Sequence, residues 1–375
     1  MMFNNFVSIE NSNNLYENIN YDVETSDIIN SVGLKISENL DASSMVFSPF
    51  GIVCILSIIQ IATANTTNKQ LLDVLGTNFD IDQIKNMYQQ YTSNVMKIVN
   101  VFVFNKIKKI NMKYIDLIKD ITVIALENFN KPSIVNQKIN RYVEKKSDGF
   151  IKDIIPKIDI RSDTSIILAN TVYFKGSWKY KFDIQETKIM TFHKTNNIPI
   201  MHQINYFNYY ENTKIQLVEL PYDEKEYVMG IILPIKFMEE SDLEYSLSNI
   251  PYFSFNEINE YINNLKLTKI DLYLPKFIHH KKMDLVKFLE KMQVQNLFEP
   301  NKANLNLISK GAFVSKIIQE TILIVDELGI ESPNRDVRKI NTLNSKLFKA
   351  NHAFIYYIRY LPDNTFLIFG DYQGN

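Results

Sequence analysis

His279 and His280 are the only adjacent histidines among the 5 in the chain, and paired imidazoles raise the question of a metal. Neighbours along a strand point to opposite faces, so the two rings cannot grip one ion; the spacing predicts a strand end with solvated imidazoles. Cys54, the single cysteine, lies in an apolar run where a thiol is inert packing rather than a nucleophile. One cysteine also excludes an internal disulfide and a Cys-rich zinc site. Trp178, beside Lys179 and Lys181, has the composition of a stacking site, but a large aromatic pinning a strand end accounts for it better. Asn65-Thr66-Thr67 reads as a turn and helix cap rather than a glycosylation sequon. No dinucleotide fingerprint, phosphate loop, paired-histidine zinc helix or nucleophile elbow occurs. The residues therefore nominate no metal, no cofactor and no enzymatic chemistry.

The elements that must position these residues come from a chain of 375 residues, 46% hydrophobic and 22% charged, which suits a globular protein with a sizeable core. Lys+Arg is 41 against 42 Asp+Glu, a net charge of -1, and that balance argues against tracking nucleic-acid phosphates. Residues 1–22 are polar, Asn-rich and acidic, unlike a secretory signal, and read as a loose extension. The apolar run from Ile52 to Ala62 is too short to span a bilayer and predicts a buried helix. No repeat or linker divides residues 23–375, so they form one domain.

Apolar positions from Ile28 to Leu40 give a helical stripe, and Ser48-Pro49 starts a second helix. A third opens at Asn65-Thr66-Thr67 and stops at Gly76. Val99 to Phe104 reads as a strand, Pro132 to Lys146 as a helix, and Ser165 to Phe174 as a strand buried on both faces. Strands then dominate: Ile215–Leu220, Tyr227–Leu233, Lys269–Leu274, Ala353–Arg359 and Thr365–Gly370, with helices near Leu285–Met292 and before Thr268. Helices mostly first and strands mostly last indicate an α+β fold. Between Asp326 and Phe348 the periodicity fails, and a structureless segment of that length inside a compact domain is usually functional.

Several blocks, in order, carry a family resemblance. They are Ser48-Pro49-Phe50-Gly51-Ile52, the stretch Ile139 to Pro156 (INRYVEKKSDGFIKDIIP), and Asn170-Thr171-Val172-Tyr173-Phe174-Lys175-Gly176-Ser177-Trp178 reaching Phe182. Leu220-Pro221-Tyr222, Leu233-Pro234, Leu274-Pro275-Lys276-Phe277, Asn351-His352-Ala353-Phe354 and Phe366-Leu367-Ile368-Phe369-Gly370 follow. From Ser26 onward the chain resembles the serpins. Gly51 stands where that family usually has Ser. The run HAFIYYIRY and the usage heavy in Asn, Ile, Lys and Tyr resemble intracellular serpins of large DNA viruses, poxviruses especially. That implies the host cytoplasm, with secretion by an uncleaved internal signal as the alternative.

The resemblance implies three sheets, about nine helices and an exposed reactive-centre loop, here about residues 330–347. It implies no catalytic residue, no cofactor, a monomer, no membrane or nucleic-acid partner, and a host protease or other host protein as partner. In an inhibitory serpin the cleaved loop enters the main sheet as a new strand. By this likeness Glu327-Leu328-Gly329 begins the hinge. The scissile bond is Leu343-Asn344 counted forward from Gly329, or Ile340-Asn341 counted back from Phe348. The hinge reads Ile330-Glu331-Ser332-Pro333-Asn334-Arg335-Asp336 where the family favours small residues. Ile330, Ser332, Asn334 and Asp336 would share the inward face. Burying Asp336 unpaired costs several kcal/mol, and Pro333 lacks the N–H of a central strand. Ser48 and Asn170 match the family's cluster under the sheet opening, while Gln319 replaces its usual His. The resulting expectation is a non-inhibitory binding or decoy protein; the alternative is a working inhibitor of serine or cysteine proteases that modulates host defence.

Overall fold

The structure is a computed structural model that describes residues 23–38, 44–147, 149–193, 196–235, 253–328 and 343–374. Eight α-helices and fourteen strands lie within these residues. Five strands form one sheet in the order β10 (Phe277–Asp284), β11 (Val314–Val325), β4 (Ile166–Phe174), β2 (Met96–Asn105) and β3 (Val123–Glu127). The central pair β11 and β4 is parallel and in continuous contact, with Gln319 opposite Asn170 and Leu323 opposite Phe174. Every residue of β4 is buried, which explains its nearly continuous apolar pattern: both faces are covered.

Nine strands form the other sheet, in the order β1 (Val46–Phe47), β14 (Thr365–Tyr372), β13 (Phe354–Tyr360), β8 (Tyr227–Pro234), β7 (Ile215–Pro221), β6 (Asn196–Glu211), β9 (Lys266–Pro275) and β12 (Lys346–Lys349), with β5 (Lys188–Phe192) on β6. The resemblance implied three sheets; among the described residues hydrogen bonding defines two. Strand β6 holds the larger one together, its end at Asn208–Glu211 pairing with β7 while Ile200–Tyr209 pairs with β9.

Helix α2 (Pro49–Gln60) touches β4 in one sheet and β14 in the other, and all twelve of its residues are buried. Its start is written locally: Ser48 accepts a hydrogen bond from the Gly51 N–H, and Pro49 occupies the first turn where it forfeits no helical bond. Helix α3 (Asn65–Leu75) ends at Gly76 with φ 77°, a left-handed cap glycine supplies cheaply.

The outer face of the five-stranded sheet has its own core. Val101, Val103, Ile167, Ala169, Ile318 and Ile322 meet Val135, Ile139 and Val143 of α6 (Pro132–Lys146) and the returning Ile151, Ile154 and Ile155. The remaining helices are α1 (Val23–Ser37), α4 (Ile81–Tyr91), α5 (Met112–Ile118), α7 (Phe255–Asn263) and α8 (Val286–Lys291).

Candidate functional site

The seam between β4 and β11 is fastened by one amide side chain. Gln319 Nε2 donates to the Ser48 carbonyl (3.1 Å) and to Asn170 Oδ1 (2.8 Å), while its Oε1 accepts from the Ser48 N–H (2.9 Å). Ser48 Oγ in turn donates to the Leu367 carbonyl (2.6 Å) in the other sheet. Asn170 Nδ2 donates to Asn100 Oδ1 (2.9 Å), and Asn100 Nδ2 to the Ile121 carbonyl (3.1 Å). These four residues are at most 1% exposed. A buried polar group left unmet costs about 1–3 kcal/mol, so the strands cannot part here without breaking a satisfied network. The structure thus brings Ser48, Asn170 and Gln319 together; Asn100, part of the same network, had no signal beyond a polar residue in an apolar strand.

Gly51 belongs to this arrangement. A Cβ built on it would lie 2.2 Å from Asn170 Oδ1 and 2.9 Å from Gln319 Nε2, so the clasp occupies the space a serine side chain would need. Gly51→Ser is expected to destabilise by about 1–3 kcal/mol through overpacking, read as a lower urea midpoint. Cys54 sits beside the clasp, 3.3 Å from Asn100 Nδ2. Burial pushes its thiol up to about 12, so it is packing, not a nucleophile.

Beyond the clasp, β11 runs to a second anchor. Trp178 Nε1 donates to the Asp326 carbonyl (2.7 Å), with its ring stacked on Tyr222 at 4.5 Å. Glu327 accepts from Lys276 Nζ (2.7 Å) and Thr187 Oγ1 (2.9 Å), and its carbonyl accepts from the Phe182 N–H (3.0 Å). Trp178, Phe182, Lys276 and Glu327 are scattered in sequence and meet at this one strand end. Burial works against the Glu327 charge, but the bonds from Lys276 and Thr187 prevail and hold the carboxyl below 4.5. A depressed folded-state value means the stabilisation is complete above the unfolded-chain value and is lost as pH falls through the folded one. Thermal melts should therefore fall more steeply below about pH 4.5 for the parent than for Glu327→Gln.

The histidines divide as alternation requires, but only one is solvated. His280 is half exposed, with Nε2 2.6 Å from Glu320 Oε1. His279 turns inward to Tyr356 (2.6 Å) and Ser44 (3.3 Å). Burial, helped by the Lys281 charge, pushes its imidazole down to about 4. The expectation of two solvated rings is corrected for His279, because its face of β10 packs on the core. On the seam itself, Glu320 Oε2, Thr321 Oγ1 and Tyr173 Oη are buried with no hydrogen-bond partner.

Leu343 and Asn344 form a turn just before β12, with the Leu343 side chain exposed and its carbonyl bonded to Lys269 Nζ (2.9 Å). Asn344 is left-handed, with φ 63°. Gly329, Ile330, Ser332, Pro333, Asn334, Asp336, Ile340 and Asn341 lie outside the described residues. Among the described residues no group of three His, Cys, Asp or Glu side chains is placed to hold a metal, and no helix is long and apolar enough to cross a membrane.

A parallel central pair clasped from below, with an anchored strand end beyond it, is the arrangement the sequence resemblance led one to look for. The family model for Serpin (serine protease inhibitor) matches residues 28–373. The chain belongs to the serpin family. Among its relatives is an uncharacterized serpin-like protein, R700, of Acanthamoeba polyphaga mimivirus, 38% identical over 368 residues that cover 96% of this chain and 92% of that protein. Human Serpin B4 is 26% identical, covering 88% of this chain and 94% of its own length. The crystal structure of native protease nexin-1 with heparin superposes with TM-score 0.84 at 23% identity, over 94% of this serpin and 99% of that chain. That likeness establishes the serpin fold. The viral relative agrees with the resemblance to serpins of large DNA viruses, though it is a mimivirus protein rather than a poxvirus one.

Proposed function

We propose that this serpin works by binding a partner protein, or by being cleaved as a decoy, and that its reactive loop does not insert to full length. The carrying observation is the commitment of Gln319, both of whose amide hydrogens are already used. A loop that turns back tightly at Glu327-Leu328 and runs antiparallel beside β11 brings Ile330 beside Val325, Asn334 beside Thr321, Arg335 beside Glu320 and Asp336 beside Gln319. The first steps are chemically matched, since Thr321 Oγ1 and Glu320 Oε2 lack partners. Asp336 is not matched. Its carboxylate meets an amide with no hydrogen to spare, at a cost of several kcal/mol or the uptake of a proton. Pro333 forfeits a ladder bond on the way. Insertion then advances to about Arg335 and stalls at the clasp.

Incubation with a panel of serine and cysteine proteases is expected to give a cleaved loop and no SDS-stable complex; a covalent complex with any of them overturns the reading. The second reading, a working inhibitor in the host cell, draws on the Glu320–Arg335 match, which rewards the beginning of insertion. It requires the clasp to open, and it predicts that complex.

A further inference from the structure

Beyond the end of β2 the chain reads Lys106-Ile107-Lys108-Lys109-Ile110-Asn111-Met112-Lys113, a run of lysines with no acid in a protein of net charge -1. Local bonding sorts these side chains. Lys108 Nζ donates to the Gly311 carbonyl and lies 5.5 Å from the centre of the Phe313 ring. Ile110 packs on the core, and Asn111 caps α5. Lys106, Lys109 and Lys113 are exposed, and so are Ile107 (63%) and Met112 (55%). The Asn111 N–H donates to the Ile308 carbonyl (2.8 Å), which sets exposed Leu307 (55%) and exposed Lys310 beside them. Among the described residues Lys106, Lys109, Lys113 and Lys310 have no ion-pair partner. The carboxylates on the flanking elements are already paired, Asp116 with Lys119 (3.2 Å) and Glu127 with Lys138.

Large aliphatic side chains exposed among unpaired cations mark an interaction surface. A soluble polyanion would answer only the lysines. A bilayer carrying anionic lipid answers both, because its headgroups attract the ammonium groups while the aliphatic side chains enter the acyl boundary. We propose that this pole of the molecule binds the surface of an anionic phospholipid membrane. The family resemblance implied no membrane partner, and this surface departs from it. Strand β2 runs antiparallel to β4, whereas β11 runs parallel to β4, so the basic pole lies at the opposite end of the five-stranded sheet from the anchored strand end at Glu327. Docked this way, the serpin holds that strand end away from the lipid and toward proteins on the solution side. The assignment stands whether or not the loop inserts.

Flotation of the full chain with vesicles of mixed phosphatidylserine and phosphatidylcholine tests the proposal. Binding is expected on these vesicles, about tenfold weaker or more on phosphatidylcholine alone, and falling as salt rises. Lys106→Gln with Lys109→Gln should weaken it about tenfold or more, and so should Ile107→Ser with Met112→Ser. Lys225→Gln with Lys266→Gln removes the same charge from exposed positions of the nine-stranded sheet and should leave binding unchanged. All the substituted side chains are solvent-facing, so the variants should melt with the parent, which separates lost binding from lost folding. Absence of binding to the phosphatidylserine vesicles, equal binding to phosphatidylcholine alone, or equal weakening by the Lys225 and Lys266 changes overturns the assignment. Binding indifferent to Ile107→Ser with Met112→Ser also overturns it, since that would mark a site for polyanions in general.

Discussion

Replacing Gln319 by Met is expected to destabilise the intact serpin by about 3–5 kcal/mol, read as an accelerated unfolding rate and a lower urea midpoint. Met fills a similar volume, so little of the loss comes from a cavity. The loss comes from what is left behind: the Ser48 N–H, the Ser48 carbonyl and Asn170 Oδ1 all lose their partner in a region shut off from water. Gln319→His is a subtler probe. An imidazole can serve Ser48 or Asn170 but titrates near neutrality, so it should make stability depend on pH between about 5 and 8, where the parent clasp has no titrating group. A Gln319→Met variant as stable as the parent would mean the strands are held by their backbone ladder and packing without the clasp.

The second large effect belongs to the hinge. Pro333→Ala with Asp336→Ala should convert a cleaved loop that stalls into one that inserts. The two changes restore a ladder bond and remove a buried carboxylate. Together they remove an obstacle of about 5 kcal/mol or more to the inserted state, so the cleaved variant should gain the rise of tens of degrees that a complete added strand supplies, where the cleaved parent gains only a few degrees. The measurement compares the melting temperatures of the cleaved forms of parent and variant. The intact forms should melt alike, since on this reading the obstacle arises only on insertion. Equal melting of the two cleaved forms would remove Asp336 and Pro333 as the obstacle.

Much of the scaffold is legible in the residues because its signals are local. The apolar runs of β4 and α2, the Ser48-Pro49 start and the Gly76 stop each act within a few positions. Two helices escape such reading. In α4 only Ile84, Met87 and Tyr91 are buried, and the reciprocal cap of Asp80 and Gln83 was its clearest mark. Helix α5 is seven residues long, too short to establish a period. Strand β6 is rich in Asn and contains Pro199, yet it persists because β5, β7 and β9 all pair with it. The clasp divides in the same way. Ser48, Asn170 and Gln319 were found through the family likeness, but the reason for Gly51 is a clash with side chains more than a hundred residues away, which only three dimensions disclose. The inward turn of His279 is likewise a fact about the face of β10, not about the dipeptide.

Partial insertion is most directly tested by cutting the reactive loop of the unaltered protein with a non-specific protease at low dose and melting cleaved and intact forms side by side. Stalling at Arg335 predicts a rise of only a few degrees, because most of the loop stays outside the sheet. A rise of tens of degrees would contradict it, since only a complete sixth strand between β4 and β11 supplies that much.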